Sequence, residues 1–258
     1  MALDLGVFCK STLDGEVVDH CFSSIFGLAQ NADPSYLDWL MKAWGWTLAV
    51  AGLGLTIALI LGAIMGTLRT LPDNGRVSRV LVRLSTAWVE LFRNIPVLVQ
   101  VFLWYHVIPA FVLPLKALPS YWLVSIALGF FTSARIAEQV RAGIQSLPSG
   151  QRAAATALGL TTPQAYRYVI LPMALRIVIP PLTSESMNVI KNSSVAFAVS
   201  VPELTLFAMQ AQEETSHGVE IYLAVTALYA LSAFAVNRVM TLIEIGRASC
   251  RERVSSPV

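Results

Sequence analysis

Charge is what this sequence has least of. Asp, Glu, Lys and Arg make up 13% of the 258 residues, against roughly 25% in a typical soluble domain. Hydrophobic residues reach 55% and the mean hydropathy is +0.64. Together these exclude a soluble globular chain and indicate an integral membrane protein, of a length that fits one helical bundle. The net charge of +2 is too weak to imply a nucleic-acid partner. Histidine is scarce: His20, His106 and His217 are scattered, without metal-ligand spacing. Cys9, Cys21 and Cys250 form no CxxC. Cys9 and Cys21 either pair, if they face an oxidising compartment, or remain free thiols. No GxxxxGK loop occurs, and no nucleophile sits beside a base at a recognisable spacing. The chain is therefore not read as an enzyme, and any uphill work draws on a partner or an ion gradient. Met1–Lys10 lacks a cationic stretch followed by an apolar core, so no cleaved signal peptide is expected.

What is present is a series of apolar runs. Residues 1–42 read as a polar, acidic extracytoplasmic segment, with a turn at Asp33-Pro34-Ser35. Tyr36, Trp39, Trp44 and Trp46 mark a membrane interface. Ala43–Leu68 is uncharged and long enough to span, and its Gly62 and Gly66 suggest a helix-packing face. A basic connector (Arg69, Arg76, Arg79, Arg83) leads to a second apolar region, Asn94–Leu115, entered past Glu90 and Arg93, which can pair across one turn. Further spans are expected from about Tyr121 to Ala137, over Ala174–Val201 with Pro180-Pro181 preceding the helix, and over Ile221–Asn237. Residues 202–220 read as an acidic loop. The expected fold is all-α, with five transmembrane helices in a permease domain of residues 43–244. Arginine sorts to one side, which the positive-inside rule makes cytoplasmic; the N-terminus is then outside and the C-terminus inside. After Glu244 the composition changes abruptly. Residues 245–258 read as a non-native tail, the alternative being a genuine disordered one.

Ser149–Pro172 is the longest polar stretch between apolar runs on the arginine side. It reads as two short helices: an Ala-rich first helix closed by Gly159, then a second capped by Thr162 with Pro163 at its first position, and ended or kinked by Pro172. A face of small residues admits another backbone closely, which favours a protein partner over a loop lying on the membrane. Glu185 and Lys191 are ionisable groups inside a span, so they line a pathway or face a partner. Six residues apart, they point about 120° from each other. The alternative has Lys191 snorkelling and Glu185 near the surface. Asn192, Ser193 and Ser194 line the same path or hydrogen-bond between helices. Glu138, Arg135 and Arg141 read as a surface ion-pair cluster.

Gly150-Gln151-Arg152-Ala153-Ala154-Ala155, Ala157-Leu158-Gly159 and Ile170-Leu171-Pro172 resemble the cytoplasmic signature loop of ABC-importer permease subunits. The resemblance covers roughly Tyr36–Glu244. Glu90–Gln100, Glu138–Pro148 and Lys191-Asn192-Ser193-Ser194 are similar to its polar amino-acid branch, and Pro163–Tyr168 with Pro180–Glu185 look most like glutamate/aspartate permeases. The resemblance implies the type I importer permease fold in a bacterial inner membrane. It implies a pore of two permease subunits, identical or not, an ATPase pair that hydrolyses ATP, a periplasmic solute-binding protein outside, and no cofactor on this chain. Gln151, Arg152, Ala154, Ala155, Leu158 and Gly159 would form the coupling helix; Glu185, Asn188, Lys191 and Asn192 would line the substrate path. The sequence departs from the pattern at Ala153, where the family usually has Glu, with Arg152 a partial substitute. Two rivals stand: an ion-coupled secondary transporter, for which no internal repeat is found, and a non-transporting membrane scaffold.

Overall fold

The computed structural model describes residues 3–18, 21, 34–73 and 75–255, with the backbone alone over 243–255. Asp33 of the expected turn, Asp19 and His20, and the last three residues of the expected tail lie outside the described residues. The described chain is helical: α1 Tyr36–Leu68, α2 Arg76–Asn94, α3 Val97–Phe111, α4 Ser120–Gln145, α5 Ser149–Ala157, α6 Thr162–Val199, α7 Leu204–Thr215 and α8 Gly218–Ser255. Only two isolated β-bridges, Lys10–Val17 and Ser11–Ser35, occur among the described residues. Helices α1, α4, α6 and the Gly218–Leu242 part of α8 are long and apolar enough to cross a membrane. The pair α2–α3, bent by 106°, makes a fifth crossing if counted as one span.

The bundle is built on the contact between α1 and α4. Gly54, Ala58, Gly62 and Gly66 repeat every fourth residue and form a stripe without bulk. A Cβ on Gly62 would lie 2.6 Å from Cβ and Cγ2 of Ile136, and one on Gly66 2.6 Å from the Ala137 carbonyl oxygen. Gly54 faces Leu128 in the same way. The facing positions rise together along both helices, so α1 and α4 run parallel, and the expected role of Gly62 and Gly66 holds. Helix α6 returns antiparallel, with Gly143 of α4 against Val178 and Ala174.

Several boundaries differ from the sequence reading. Glu90 does not hold Arg93: Arg93 Nη1 reaches Glu138 Oε1 at 3.3 Å, while Glu90 is exposed. The sharp bend follows from Pro96, which holds Ile95 extended (φ −97°, ψ 129°). The fully buried Gln100 fixes the elbow, its Nε2 donating to the carbonyls of Phe92 (2.8 Å) and Ile95 (3.0 Å) that the end of α2 leaves free. Pro180 and Pro181 lie inside α6 rather than before it. Spanning helices tolerate such breaks because neighbouring helices satisfy the freed backbone groups.

Residues 202–220 contain helix α7, not merely a loop. Its N-cap is Glu203, which accepts from Thr205 N (2.9 Å), Leu206 N (3.0 Å) and Tyr229 Oη (2.7 Å). Glutamate is not among the favoured cap residues, so the start of α7 carries no sequence signal. Helix α8 is also longer than Ile221–Asn237 and its backbone continues past Ile245 to Ser255. Before α1, Cys9 and Cys21 are disulfide-bonded. The buried Val7 and a bond from Asp4 N to Glu220 Oε1 (3.1 Å) tie this segment to the bundle. Ser35 and Asp38 form a capping box at the start of α1.

Candidate functional site

Two regions gather the polar chemistry of the chain. The first is the unit around α5. Its Ala-rich sequence forms nine residues of helix, Ser149–Ala157. The helix is closed by the six-residue bond of a Schellman motif, Leu160 N to Ala155 O (3.1 Å), with Gly159 N to Thr156 O (2.9 Å). Gly159 supplies the required left-handed backbone at φ +76°. Thr161, not Thr162, then caps the following helix, its N–H and Oγ1 both donating to Gln164 Oε1 at 2.9 and 2.8 Å. Pro163 therefore sits at the second helical position. The second short helix is not separate. It passes through a π turn, Tyr166–Ile170, straight into the span, and Pro172 neither ends nor isolates it. The wider turn just before Pro172 falls where that residue has no N–H to give.

The predicted docking residues divide. Ala154, Leu158 and Gly159 are exposed, Leu158 by 81%. Gln151 is half-buried. Ala155 is only 2% exposed and faces the protein's own bundle, so it belongs to the support of α5 rather than to its free face. Arg152 is exposed, but its guanidinium reaches back to the bundle. Its Nη2 donates to Tyr166 Oη (2.8 Å) and the Thr70 carbonyl (3.3 Å), and its guanidinium lies over the Tyr166 ring. Tyr166 Oη donates in turn to the Thr70 carbonyl. Arg152 thus links α5 to the turn that follows α1 and to the start of α6, beside the exposed Ala153. A cleft of about 420 Å³ opens beneath, lined by Arg69, Leu71, Ile144, Leu147 and Gln151.

The second region lies between α4 and α6. Glu185 is 5% exposed. Arg135 Nε lies 3.0 Å from its Oε2, Arg135 Nη2 donates to Oε1 at 3.0 Å, and Gln139 Nε2 donates to Oε1 at 3.2 Å. The expected cluster of Glu138 with Arg135 and Arg141 is therefore corrected. Arg135 reaches across to Glu185, whereas Glu138 holds Arg69 (2.7 Å), Arg93 (3.3 Å) and Arg141 (3.6 Å). A hydrogen-bonded ion pair with a buried carboxylate on the facing helix outweighs a neighbour one turn away.

Beside the pair runs an exposed stripe. Arg176, Pro180, Ser184 and Lys191 are exposed and Asn188 is half-buried, at steps of four, four, four and three residues along α6. Asn192 is half-buried at its end. Glu185 and Lys191 point apart, as their spacing requires. The structure thus brings Asn188 and Lys191 onto one open face and places Glu185 behind it. Sequence reasoning missed Arg135 as a member of this region. Its available signal was an ionisable residue well inside a 26-residue span.

Parallel and antiparallel spanning helices around a polar face, with a rigid helical unit projecting from one end, define a multi-span permease subunit. The chain belongs to the family of binding-protein-dependent transport system inner membrane components, whose profile matches residues 58–247. It is 43% identical over 220 residues to the glutamate/aspartate import permease protein GltJ of Escherichia coli strain K12, covering 81% of this chain and 87% of that one. It is 37% identical over 183 residues to the probable glutamine ABC transporter permease protein GlnM of Bacillus subtilis strain 168, covering 71% and 81%. Its fold matches a chain in the crystal structure of an amino acid ABC transporter with histidines. There the TM-score is 0.69 at 28% identity, over 81% of this chain and 94% of that one.

Proposed function

We propose that this chain is the pore subunit of an ATP-driven importer of amino acids, acidic ones foremost. The observation that carries the reading is the α5 unit: a helix closed at its C-terminal end, tied through Arg152 to Tyr166 and Thr70, and presenting Leu158 and Gly159 outward. Such a unit transmits force from a partner to the spanning helices without deforming itself. The partner in this reading is a pair of ATPase subunits, which supplies the hydrolysis. A second permease subunit completes the pore against the Arg176–Lys191 stripe, and a solute-binding protein delivers substrate on the opposite side. Arginine on the side of α5 makes that side cytoplasmic. The Cys9–Cys21 disulfide supports an oxidising compartment at the N-terminus, which is the outer face of a bacterial inner membrane.

For an acidic substrate the path needs cationic groups. Lys191 is exposed on the stripe, and the Arg135 side chain is 41% exposed while its partner Glu185 is 6% exposed. The similarity to GltJ supports the acidic assignment. Reconstitution of the complete complex in vesicles, with labelled amino acids inside and outside and ATP on the α5 side, tests the reading. Glutamate and aspartate uptake should require ATP. Uptake that follows an ion gradient and ignores ATP would refute it, and ATP-driven uptake of glutamine in preference to glutamate would move the substrate while keeping the mechanism.

A further inference from the structure

Helix α2 carries a pattern that the transport reading does not use. Its buried side is formed by Ser85, Val89 and Phe92, with Trp88 Nε1 donating to Ser133 Oγ at 3.1 Å and Arg93 held by Glu138. The last two turns of α2 are therefore pinned to α4. The first two turns are not: Arg76, Val77, Arg79, Val80, Arg83 and Leu84 are all exposed. At about 100° per residue the exposed surface separates into two stripes. Arg76, Arg79 and Arg83 lie together on one flank. Val77, Val80, Leu84 and Leu91 lie on the adjoining flank, exposed by 74, 52, 64 and 55%. Their directions differ by about 100° between stripe centres, and neither stripe faces the bundle.

A cationic stripe beside an apolar one, on a helix of low overall hydrophobicity, is the pattern of a helix lying in a membrane interface. Its place in the chain fixes which interface. Span α1 ends at Leu68, and the basic connector delivers α2 at that same bilayer boundary. Asp73 neutralises part of Arg79 (3.1 Å), leaving Arg76 and Arg83 without an ion pair among those formed by the described residues. We propose that the N-terminal half of α2 is a surface anchor for anionic phospholipid, with Val77, Val80 and Leu84 dipping into the acyl boundary and Arg76, Arg79 and Arg83 on the phosphates. The cytoplasmic leaflet is the occupant because the orientation proposed above puts the arginine side there. The anchor would hold the α2–α3 elbow at a fixed depth while the other helices move.

The test uses the purified full chain in lipid nanodiscs, without substrate or ATP, so it does not depend on transport. Discs of phosphatidylcholine alone are compared with discs containing phosphatidylglycerol. A spin label at residue 77 (Val77→Cys with Cys250→Ser) reports depth, and the thermal midpoint reports lipid coupling. The label should be accessible to oxygen and shielded from a water-soluble relaxant. Phosphatidylglycerol should raise the midpoint relative to phosphatidylcholine. The combined variant Arg76→Gln, Arg79→Gln, Arg83→Gln should lose that lipid-dependent rise while keeping its midpoint in phosphatidylcholine. Each arginine near an anionic surface is worth roughly a fivefold change in partitioning, so all three together are worth on the order of a hundredfold. A label open to the water-soluble relaxant, or a lipid response unchanged in the triple variant, overturns the proposal. So does a label that becomes shielded only when the ATPase partner is added, since the face would then be a protein contact.

Discussion

Leu158 offers the sharpest test of the docking unit. It is an aliphatic side chain 81% exposed at the end of α5. A fully buried leucine contributes about 1.5–3 kcal/mol relative to an exposed one. Nearly all of that is still available to an interface, because so little is buried beforehand. Leu158→Ala removes three of the four side-chain carbons, so the complex should lose about 2 kcal/mol, or about 30-fold in affinity for the ATPase subunits. The measurement is titration of the partner onto nanodisc-embedded permease, with stimulated ATP hydrolysis as a second readout. The thermal midpoint of the isolated chain is the control and should not move, since surface changes away from special features cost within about 0.5 kcal/mol. Gly159 separates contact from backbone. At φ +76° an L-residue costs about 1–2 kcal/mol, and asparagine less than most. Open space surrounds the position in the isolated chain. Gly159→Asn should therefore fold well yet bind weakly, and Gly159→Asp should bind more weakly still. If Leu158→Ala binds within threefold of wild type, the exposed end of α5 is not a contact and the reasoning fails.

Gly66→Ala should lower the stability of the chain by about 1–3 kcal/mol, because the new methyl would meet the Ala137 carbonyl at 2.6 Å; thermal unfolding in detergent measures it, and an unchanged midpoint would mean that α1 and α4 can part freely. Lys191→Met should depress uptake of acidic amino acids while assembly with the partners is retained, and unchanged uptake would remove Lys191 from the path. Cys9 and Cys21 should react with a membrane-impermeant maleimide added outside intact cells only after reductant, whereas labelling without reductant would contradict the disulfide. Burial pushes the Glu203 carboxyl above the ordinary carboxylate range. The folded state therefore binds its proton more tightly than the unfolded state, so this group's contribution to stability falls as pH rises from the ordinary range to the raised value. In a melting series across that window, the stability of wild type relative to Glu203→Gln should fall as pH rises, and a constant difference would contradict the raised value.

The spans were legible because apolar length and arginine distribution act over twenty residues, and local errors average out. The stripe of Gly62 and Gly66 was legible because close approach needs small residues at a fixed spacing. Pairings across helices were not. Arg135 has Glu138 one turn away and Glu185 fifty positions on, and sequence spacing favours the near one. Packing decides otherwise: Glu185 is buried and Glu138 already holds Arg69, Arg93 and Arg141. Prolines misled for a related reason. Pro172 read as ending or kinking a helix and Pro180-Pro181 as preceding one, since local rules assume that no neighbour satisfies the freed backbone, an assumption that a bundle removes.

That continuity through three prolines bears on mechanism. Helix α6 runs from Thr162, beside the dock, to Val199, so one element carries both the clamp at Tyr166 and the polar stripe ending at Lys191. Displacement of α5 reaches Tyr166 through Arg152, and the same hydroxyl is bound to Thr70 in the turn that follows α1. In the proposed reading, a push on α5 must therefore move α6 and the end of α1 together or break this clamp. Further along, α6 is tied to α4 by Glu185 and Arg135. Breaking that pair would leave the buried Glu185 carboxylate without its cation, so small motions should carry α4 with α6. In the proposed reading, coupling between dock and path needs no relay of small side-chain changes. It is carried by one long helix, held near its two functional positions by Arg152 and Arg135.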